Sequence, residues 1–392
     1  MLRVLHVIPS LSPRRGGPSA AVRNVSRALR RRGLEVDVAT TDDDGAGQRL
    51  TVPLDRFVEV EGTHVRYFPR QTGLYSLSYP LLRWLGQHVR DYDLVHTHGL
   101  FSFAPLAAAW QARKARVPYI MRPAGVLDSW GLKNKRALIK RTSIHVVEGP
   151  LLRDAAAVHF MTELERRRAA ELSLTLRPVV LPIGFDFGPS PNAQPDAAGS
   201  PVILYLSRIH EIKRVDLLLR AFAALPERES CRLAIAGDGE PSLVASLKEL
   251  AAQLGLGACV QWLGFAERAR KRELLGGAAV FVLPSASENF GVAILEAMHA
   301  GLPVIVTAGA GLAEFVRSAG AGIVTDGSLE GLRSALVRLV CDRKLRRVMG
   351  HAGALAVQRE LSLDACGNRL ESLYRAVLNR ARIGAPAADA SP

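Results

Sequence analysis

Residues 278–306 read AAVFVLPSASENFGVAILEAMHAGLPVIV. The apolar run Ala278–Leu283 stops at Pro284, the pattern of a strand buried on both faces of a parallel sheet. Ser285–Asn289 follows as a polar turn. From Gly291 to Ala300 apolar residues recur at helical spacing, and Gly301, with Pro303 just beyond, ends that helix. Val304–Val306 reads as the next strand. The stretch is thus a strand–loop–helix–strand unit with two glutamates, Glu288 in the loop and Glu296 in the helix. N–H groups of Asn289, Phe290 and Gly291 at the helix start, with the helix dipole behind them, suit an anion such as a nucleotide diphosphate. Gly291 lets the backbone approach it closely. Glu288 stands where a group attached to that diphosphate would lie, and Glu296 where a ribose diol would donate hydrogen bonds. An ordinary helix capped by Ser285 and Glu288 would use the same residue types.

At 392 residues the chain favours two domains of about 180 residues each. An apolar share of 48% suffices for two buried cores. The four cysteines, Cys231, Cys259, Cys341 and Cys366, show no CxxC or metal spacing. They read as buried free thiols in a reducing compartment. Arg3, His6 and Pro9 interrupt the short apolar start, so no signal peptide is expected. The longest uncharged apolar run, Leu100–Trp110, is far shorter than the ~20 residues of a membrane span. A cytoplasmic protein is expected, soluble or held peripherally at the inner membrane face.

The net charge of +14 is uneven. Residues 1–190 hold 28 Lys and Arg against 17 Asp and Glu, or +11, and the remainder 23 against 20, or +3. A basic first half favours an anionic partner: lipid headgroups, a diphosphate-linked acceptor or nucleic acid. Nucleic acid is set aside, since no recognition motif or aromatic stacking platform accompanies the charge. Arg-rich solvated faces are the alternative.

In the first half, Arg3–Ile8 reads as a strand and Ala20–Arg32 as a helix ending at Gly33. Between them SLSPRRGGPS sets Gly16 and Gly17 before Pro18, a loop that lets an anion approach; GxGxxG is absent, which argues against a dinucleotide cofactor. Val36–Thr40 is a second strand. Asp42 and Asp44 after it superficially match a metal-binding DxD, but nothing nearby completes a metal site, and an acidic loop is the reading adopted. Val58–Phe68 is a strand or hairpin and Tyr79–Arg90 a helix. Asp93–His96 is a short strand with His96, His98 and Gly99 at its carboxyl end, where open α/β sheets bind ligands. His98 reads as an acceptor-side contact or general base, or else as a structural histidine. A metal at His96 and His98 lacks a third ligand. After the strand Pro118–Met121 comes the helix Leu132–Val147, with Lys133, Lys135, Arg136, Lys140 and Arg141. Lys133, Arg136 and Lys140 share a face, as in a helix lying on anionic lipid or a solvated surface helix. Ala156–Phe160 and Pro178–Leu181 are the last strands, with helix Glu163–Leu172 between them.

Residues 182–200, rich in Pro, Gly and Ala, mark the domain boundary. Strands and helices then alternate again: strands Val202–Ser207, Arg232–Ala236 and Cys259–Leu263, with helices Val215–Leu225, Pro241–Leu254 and Ala269–Leu275. Strands every 25–30 residues or so, separated by helices, imply a second doubly wound parallel sheet. SRIHEIKRVD follows the first strand, placing Arg208 and Lys213 at the carboxyl edge as two charges able to clamp a leaving diphosphate.

SRIHEIKRVDLLLRAF, AIAGDGEP, VQWLGF, PSASENFGVAILEAM with GLPVIVT, and AGAGLAEFV together resemble the retaining glycosyltransferases of family 4, of the GT-B fold. The likeness runs from the GG-P loop to Gly322, and the Glu288–Glu296 spacing is its most specific part. It implies two Rossmann-like doubly wound domains facing a central cleft: residues 1–185 for the acceptor, a linker 186–200, and 201–363 for the nucleotide sugar. Residues 364–392 would be a helix packing back on the first domain plus a disordered tail. By the same resemblance, Arg208, Lys213 and the Asn289–Gly291 backbone hold the diphosphate, Glu288 the sugar hydroxyls and Glu296 the ribose. Leu263 and Gly264 would lie beside the base, and Gly16 and Gly17 between acceptor and phosphates. No metal or other cofactor is expected. Where many relatives carry PHGxLD, this chain has Pro123–Ala124–Gly125–Val126–Leu127–Asp128, so alanine replaces an acceptor-side histidine; PNG is likewise Pro182–Ile183–Gly184. His98 is then the nearest candidate for the incoming hydroxyl. The expected activity is transfer of a sugar from a UDP- or GDP-sugar to a glycan or lipid-linked acceptor of surface-polysaccharide synthesis. The alternatives are a nucleotide-sugar 2-epimerase and a non-catalytic nucleotide-sugar-binding subunit.

Overall fold

The computed structural model describes residues 1–15, 17–45, 47–54, 56–73, 75–127, 142–190, 200–226 and 228–384. The chain divides into two compact units, Met1–Asp186 with Leu361–Pro392, and Phe187–Glu360. The expected tail beyond 384 and most of the expected linker lie outside the described residues.

The first unit is built on β1 (Arg3–Ser10), β2 (Glu35–Thr41), β3 (Phe57–Val60), β4 (Thr63–Phe68), β5 (Leu94–His98), β6 (Tyr119–Arg122), β7 (Ala157–Phe160) and β8 (Pro178–Val180). They lie in the order β3-β4-β2-β1-β5-β6-β7-β8. All neighbours are parallel except the hairpin β3–β4, whose two-residue turn uses Glu61 at φ 50° and Gly62 at φ 76°. Alternation along the strands separates two cores. Leu5, Val7, Val95, Met121 and Val158 face helices Tyr79–His88, Phe103–Ala115 and Gly149–Asp154. Val4, Leu94, Ile120 and Ala157 face helix Gly17–Arg31 and the last helix, Leu363–Gly384. The apolar run Leu100–Trp110 falls mostly in Phe103–Ala115, a core helix whose alanines from 104 to 112 are buried. No helix among the described residues is long and apolar enough to cross a membrane.

The second unit holds β9 (Val202–Leu206), β10 (Arg232–Ala236), β11 (Val260–Gly264), β12 (Val280–Leu283), β13 (Val304–Thr307) and β14 (Gly322–Thr325), in the order β11-β10-β9-β12-β13-β14. Every neighbour pair is parallel. The doubly wound architecture expected from the sequence is therefore present in each unit. Residues 278–306 form β12, helix Val292–His299 and β13, with Gly291 and Gly301 left-handed at the two helix ends.

Two expectations change, and a third falls outside the described residues. The strand expected at Asp93–His96 runs on to His98, so His98 lies in the sheet and not in the loop beyond it. The basic face of Lys133, Lys135, Arg136, Lys140 and Arg141 lies outside the described residues; the part described is a π-turn, Ile144–Glu148, in which a Cβ on Gly149 would come within 2.3 Å of Ile144 O. Cys231 and Cys366 are buried and Cys259 is intermediate, but Cys341, at the end of helix Leu329–Cys341, is exposed.

Candidate functional site

At the carboxyl edge of the second sheet, the segments after β9 and β10 run side by side. Ile209 N–H donates to Asp238 O at 2.7 Å, and Gly237 N–H to Gly264 O at 2.7 Å. Only glycines allow this approach: a Cβ on Gly237 would stand 1.8 Å from Ser207 O, and one on Gly239 2.2 Å from Ile209 O. The Tyr205 hydroxyl donates to Arg208 O at 3.0 Å, fixing that backbone, while the Arg208 side chain is exposed and forms no ion pair among the described residues. A single 3-10 turn, Glu211–Lys213, follows, capped by His210 Nδ1 accepting from Ile212 N at 3.2 Å. It turns Lys213 inward to 9% exposure.

Lys213 Nζ meets Glu288 Oε2 in an ion pair. The loop bearing Glu288 is bound on both sides. Ala286 N–H donates to Ile212 O at 2.8 Å, Glu288 N–H to Gly309 O at 3.1 Å, and Gly311 N–H to Glu288 O at 2.7 Å. A Cβ on Gly309 would come within 2.2 Å of Ala286 O. The Ser285 hydroxyl lies against the carbonyls of Ile212 and Ser287, so Ser285 and Glu288 do not form a capping box. Gly291 is itself the N-cap, at φ 87°, and no side chain caps that helix. Among the described residues, the N–H groups of Asn289 and Gly291 have no protein acceptor. Phe290 is buried beside them. A lysine, a carboxylate and peptide donors at a helix start thus converge. That set can hold a diphosphate and a neighbouring polyol.

Glu296 is bound by a residue the sequence reading missed: Lys271 Nζ donates to Glu296 Oε1 at 2.5 Å. Lys271 lies in RARKRE, where helical spacing alone does not show which cation faces inward. Leu263 and Gly264, half-buried, end β11, and Gly264 is left-handed at φ 64°. Asp238, whose Oδ1 is 3.7 Å from where a Gly264 Cβ would be, lies in the quoted GDGEP motif but was not singled out.

In the first unit, Gly17 opens the helix after β1, and Gly16 lies outside the described residues. The acidic loop is committed to the protein. Asp43 pairs with Arg15 and Arg70, Asp42 Oδ1 accepts from Arg70 N at 2.7 Å, and Asp44 Oδ1 accepts from the Ser12 hydroxyl at 2.5 Å. These contacts tie the acidic loop to Ser12 and Arg15, just before helix Gly17–Arg31. The turn at Ala124 (φ 57°) and Gly125 (φ 81°) is held by Glu165, whose Oε1 accepts from Gly125 N at 2.6 Å and Oε2 from Met161 N at 2.7 Å.

His98, read from the sequence as an acceptor-side contact, general base or structural histidine, has the surroundings of the last of these. It is 1% exposed, and both its ring nitrogens are engaged. In the parallel register His6 lies opposite His96, and His98 opposite Arg122. His159 on β7 and Tyr374 on the last helix join them. Burial, reinforced by the Arg122 charge and a neighbouring histidine, pushes His6 down to about 3. Burial likewise takes His159 to about 4 and holds His96 and His98 well below their usual value, so all four are neutral at pH 7. The chain of donors then has one direction. Arg122 Nε donates to His98 Nδ1 at 2.9 Å, so His98 carries its proton on Nε2 and donates to His6 Nδ1 at 2.7 Å. His6 Nε2 faces the Tyr374 oxygen at 3.4 Å, and the Tyr374 hydroxyl donates to His96 Nδ1 at 2.8 Å. His96 Nε2 donates to His159 Nδ1 at 3.3 Å, and His159 Nε2 to Leu181 O at 2.6 Å. His6 supplies the third imidazole that His96 and His98 lacked, all within 4.8 Å. With every nitrogen already paired and a guanidinium in contact, the set fits a hydrogen-bond chain better than a cation.

Residues 189–355 match the family glycosyl transferases group 1, and residues 16–184 the glycosyl transferase 4-like domain. The chain belongs to the family 4-type glycosyltransferases and has their GT-B fold. The D-inositol 3-phosphate glycosyltransferase of Corynebacterium urealyticum is 27% identical over 92% of this chain and 91% of its own. Sucrose-phosphate synthase from Thermosynechococcus elongatus superposes with a TM-score of 0.77 at 21% identity, over 97% of this chain and 100% of that one. Anabaena HepE in complex with UDP-glucose gives 0.72 at 20% identity, over 96% and 100%.

Proposed function

We propose that the protein moves a hexose-type sugar from a UDP- or GDP-sugar to a hydroxyl with retention of anomeric configuration. The observation that carries this reading is the Lys213–Glu288 contact beside the peptide donors of Asn289 and Gly291. On donor binding, Lys213 and Arg208 neutralise the diphosphate together with the Asn289–Gly291 backbone. Glu288 exchanges its lysine for sugar hydroxyls. Glu296 accepts from the ribose, and Leu263 and Gly264 flank the base. Because His98 is occupied by His6 and Arg122, the proton of the incoming hydroxyl goes to the leaving phosphate on the same face of the sugar. This chemistry needs no metal.

The acceptor we propose is a lipid-diphosphate-linked glycan of surface-polysaccharide synthesis, met at the inner membrane face. The basic first half supports it, as does the phosphorylated compound, D-inositol 3-phosphate, for which the Corynebacterium relative is named. The test is nucleotide release from UDP-, GDP- and ADP-sugars with membrane extract, with and without EDTA, and NMR of the product. Release of UDP or GDP with an α-linked product from an α-configured donor is expected, unchanged by EDTA. No release with any donor, or inversion, would overturn the reading. An isomerised nucleotide sugar formed without acceptor would favour the epimerase.

A further inference from the structure

Two lysine–carboxylate pairs stand on the carboxyl side of the second sheet, and they differ in one respect. In the function proposed above, Lys213 serves the diphosphate and must release Glu288 when donor arrives. Lys271 has no such second duty. Its helix, Arg268–Gly277, follows β11, and its ammonium reaches across to Glu296 Oε1 at 2.5 Å. Arg270 of the same helix is spent on Glu273, so Lys271 crosses to the glutamate while its neighbour does not.

The backbone under Glu296 is fixed, since Ile294, Leu295, Ala297 and Met298 around it are buried. Its carboxylate is not. It sits at the end of a flexible side chain that keeps 19% exposure, against 30% for Lys271. A carboxylate receives two vicinal hydroxyls only if its plane is set. An ammonium has three N–H donors and no acceptor, so it can anchor Oε1 and leave Oε2 and a lone pair of Oε1 for a diol. Ordering the side chain in advance also spares the ligand that entropy cost.

We propose that Lys271 is a positioning residue that holds Glu296 for the 2′- and 3′-hydroxyls of the donor ribose, and so sets the preference for ribonucleotide over deoxyribonucleotide donors. This rests on the reading that Glu296 meets the ribose. Lys271 touches neither the transferred sugar nor the reacting atoms.

The test uses calorimetric affinities of the full chain for UDP, GDP and their 2′-deoxy forms, in wild type, Lys271→Met, Lys271→Arg and Glu296→Gln. Wild type should prefer the ribonucleotide. Lys271→Met should weaken ribonucleotide binding roughly tenfold, as for the loss of one charge-assisted hydrogen bond, and weaken the 2′-deoxy form, which keeps only the 3′-hydroxyl for Glu296, by clearly less. Lys271→Arg should restore the preference, and Lys271→Met added to Glu296→Gln should cost nothing more. A Lys271→Met protein that weakens both forms equally would show a merely structural pair and overturn the inference alone. A wild type that binds no UDP or GDP, or binds both sugars of the nucleotide equally, would bring down the ribose assignment and this inference with it.

Discussion

Arg122 Nε lies 2.9 Å from His98 Nδ1, and this contact sets the tautomer of every imidazole behind it. A guanidinium can only donate and the Leu181 carbonyl at the far end can only accept. Four histidines and Tyr374 between them have one arrangement that satisfies all. The chain spans β1, β5, β6 and β7 and ties the last helix to the first sheet. It also occupies both ring nitrogens of a histidine at a strand's carboxyl end.

Acid should weaken the first unit. A buried neutral histidine has a folded pKa below its unfolded value of 6.5, so the unfolded chain binds more protons as pH falls. Their contribution is complete above about 6.5 and is lost as pH falls toward about 4 for His159 and about 3 for His6. Of the charged and titratable neighbours, Arg122, Glu165 and Tyr374, the guanidinium and the phenol stay in one state across that window. The slope approaches about 1.4 kcal/mol per pH unit for each histidine. Urea unfolding between pH 7.5 and 5 should show it, and His159→Gln should flatten it; a pH-independent midpoint would refute the chain.

Tyr374→Phe removes one hydroxyl and leaves His6 Nε2 and His96 Nδ1 without it. A loss of about 1–3 kcal/mol is expected for the buried groups stranded. Unfolding measurements should find it, while UDP affinity stays within about twofold because the donor residues belong to the other unit. An unaltered stability would show that the helix docks by apolar packing alone.

Glu288→Ala and Lys213→Ala should each lower sugar transfer by a factor of at least about 100, the scale of losing one preorganised charge beside a reacting phosphate. Both variants should keep the wild-type circular dichroism, since Glu288 is held through its backbone by Gly309 and Gly311. Near-normal turnover in either would remove that residue from the mechanism.

Membrane contact is checked by sedimentation with anionic and neutral vesicles. Wild type should bind the anionic ones, with affinity falling as salt rises, and Lys133/Arg136/Lys140→Glu should release it and slow transfer to a lipid-linked acceptor. Equal partition to both vesicle types, or an unaffected triple variant, would confine the basic charge to solvation.

The sequence by itself determined the succession of strands and the loop–helix unit at 278–306, because these follow from short-range rules. Apolar runs of strand length, glycine stops and helical spacing act within a few residues, so both sheets and the positions of Arg208, Lys213, Glu288 and Glu296 along the chain were legible. Tertiary structure decided which side chains meet. His6 faces His96 because β1 and β5 are neighbours, Tyr374 reaches His96 across 278 residues, and Lys271, one cation among several in its helix, is the one that finds Glu296. No local pattern encodes such contacts. They depend on strand order, parallel register and which helix face turns toward the sheet, and those are settled only when both cores close.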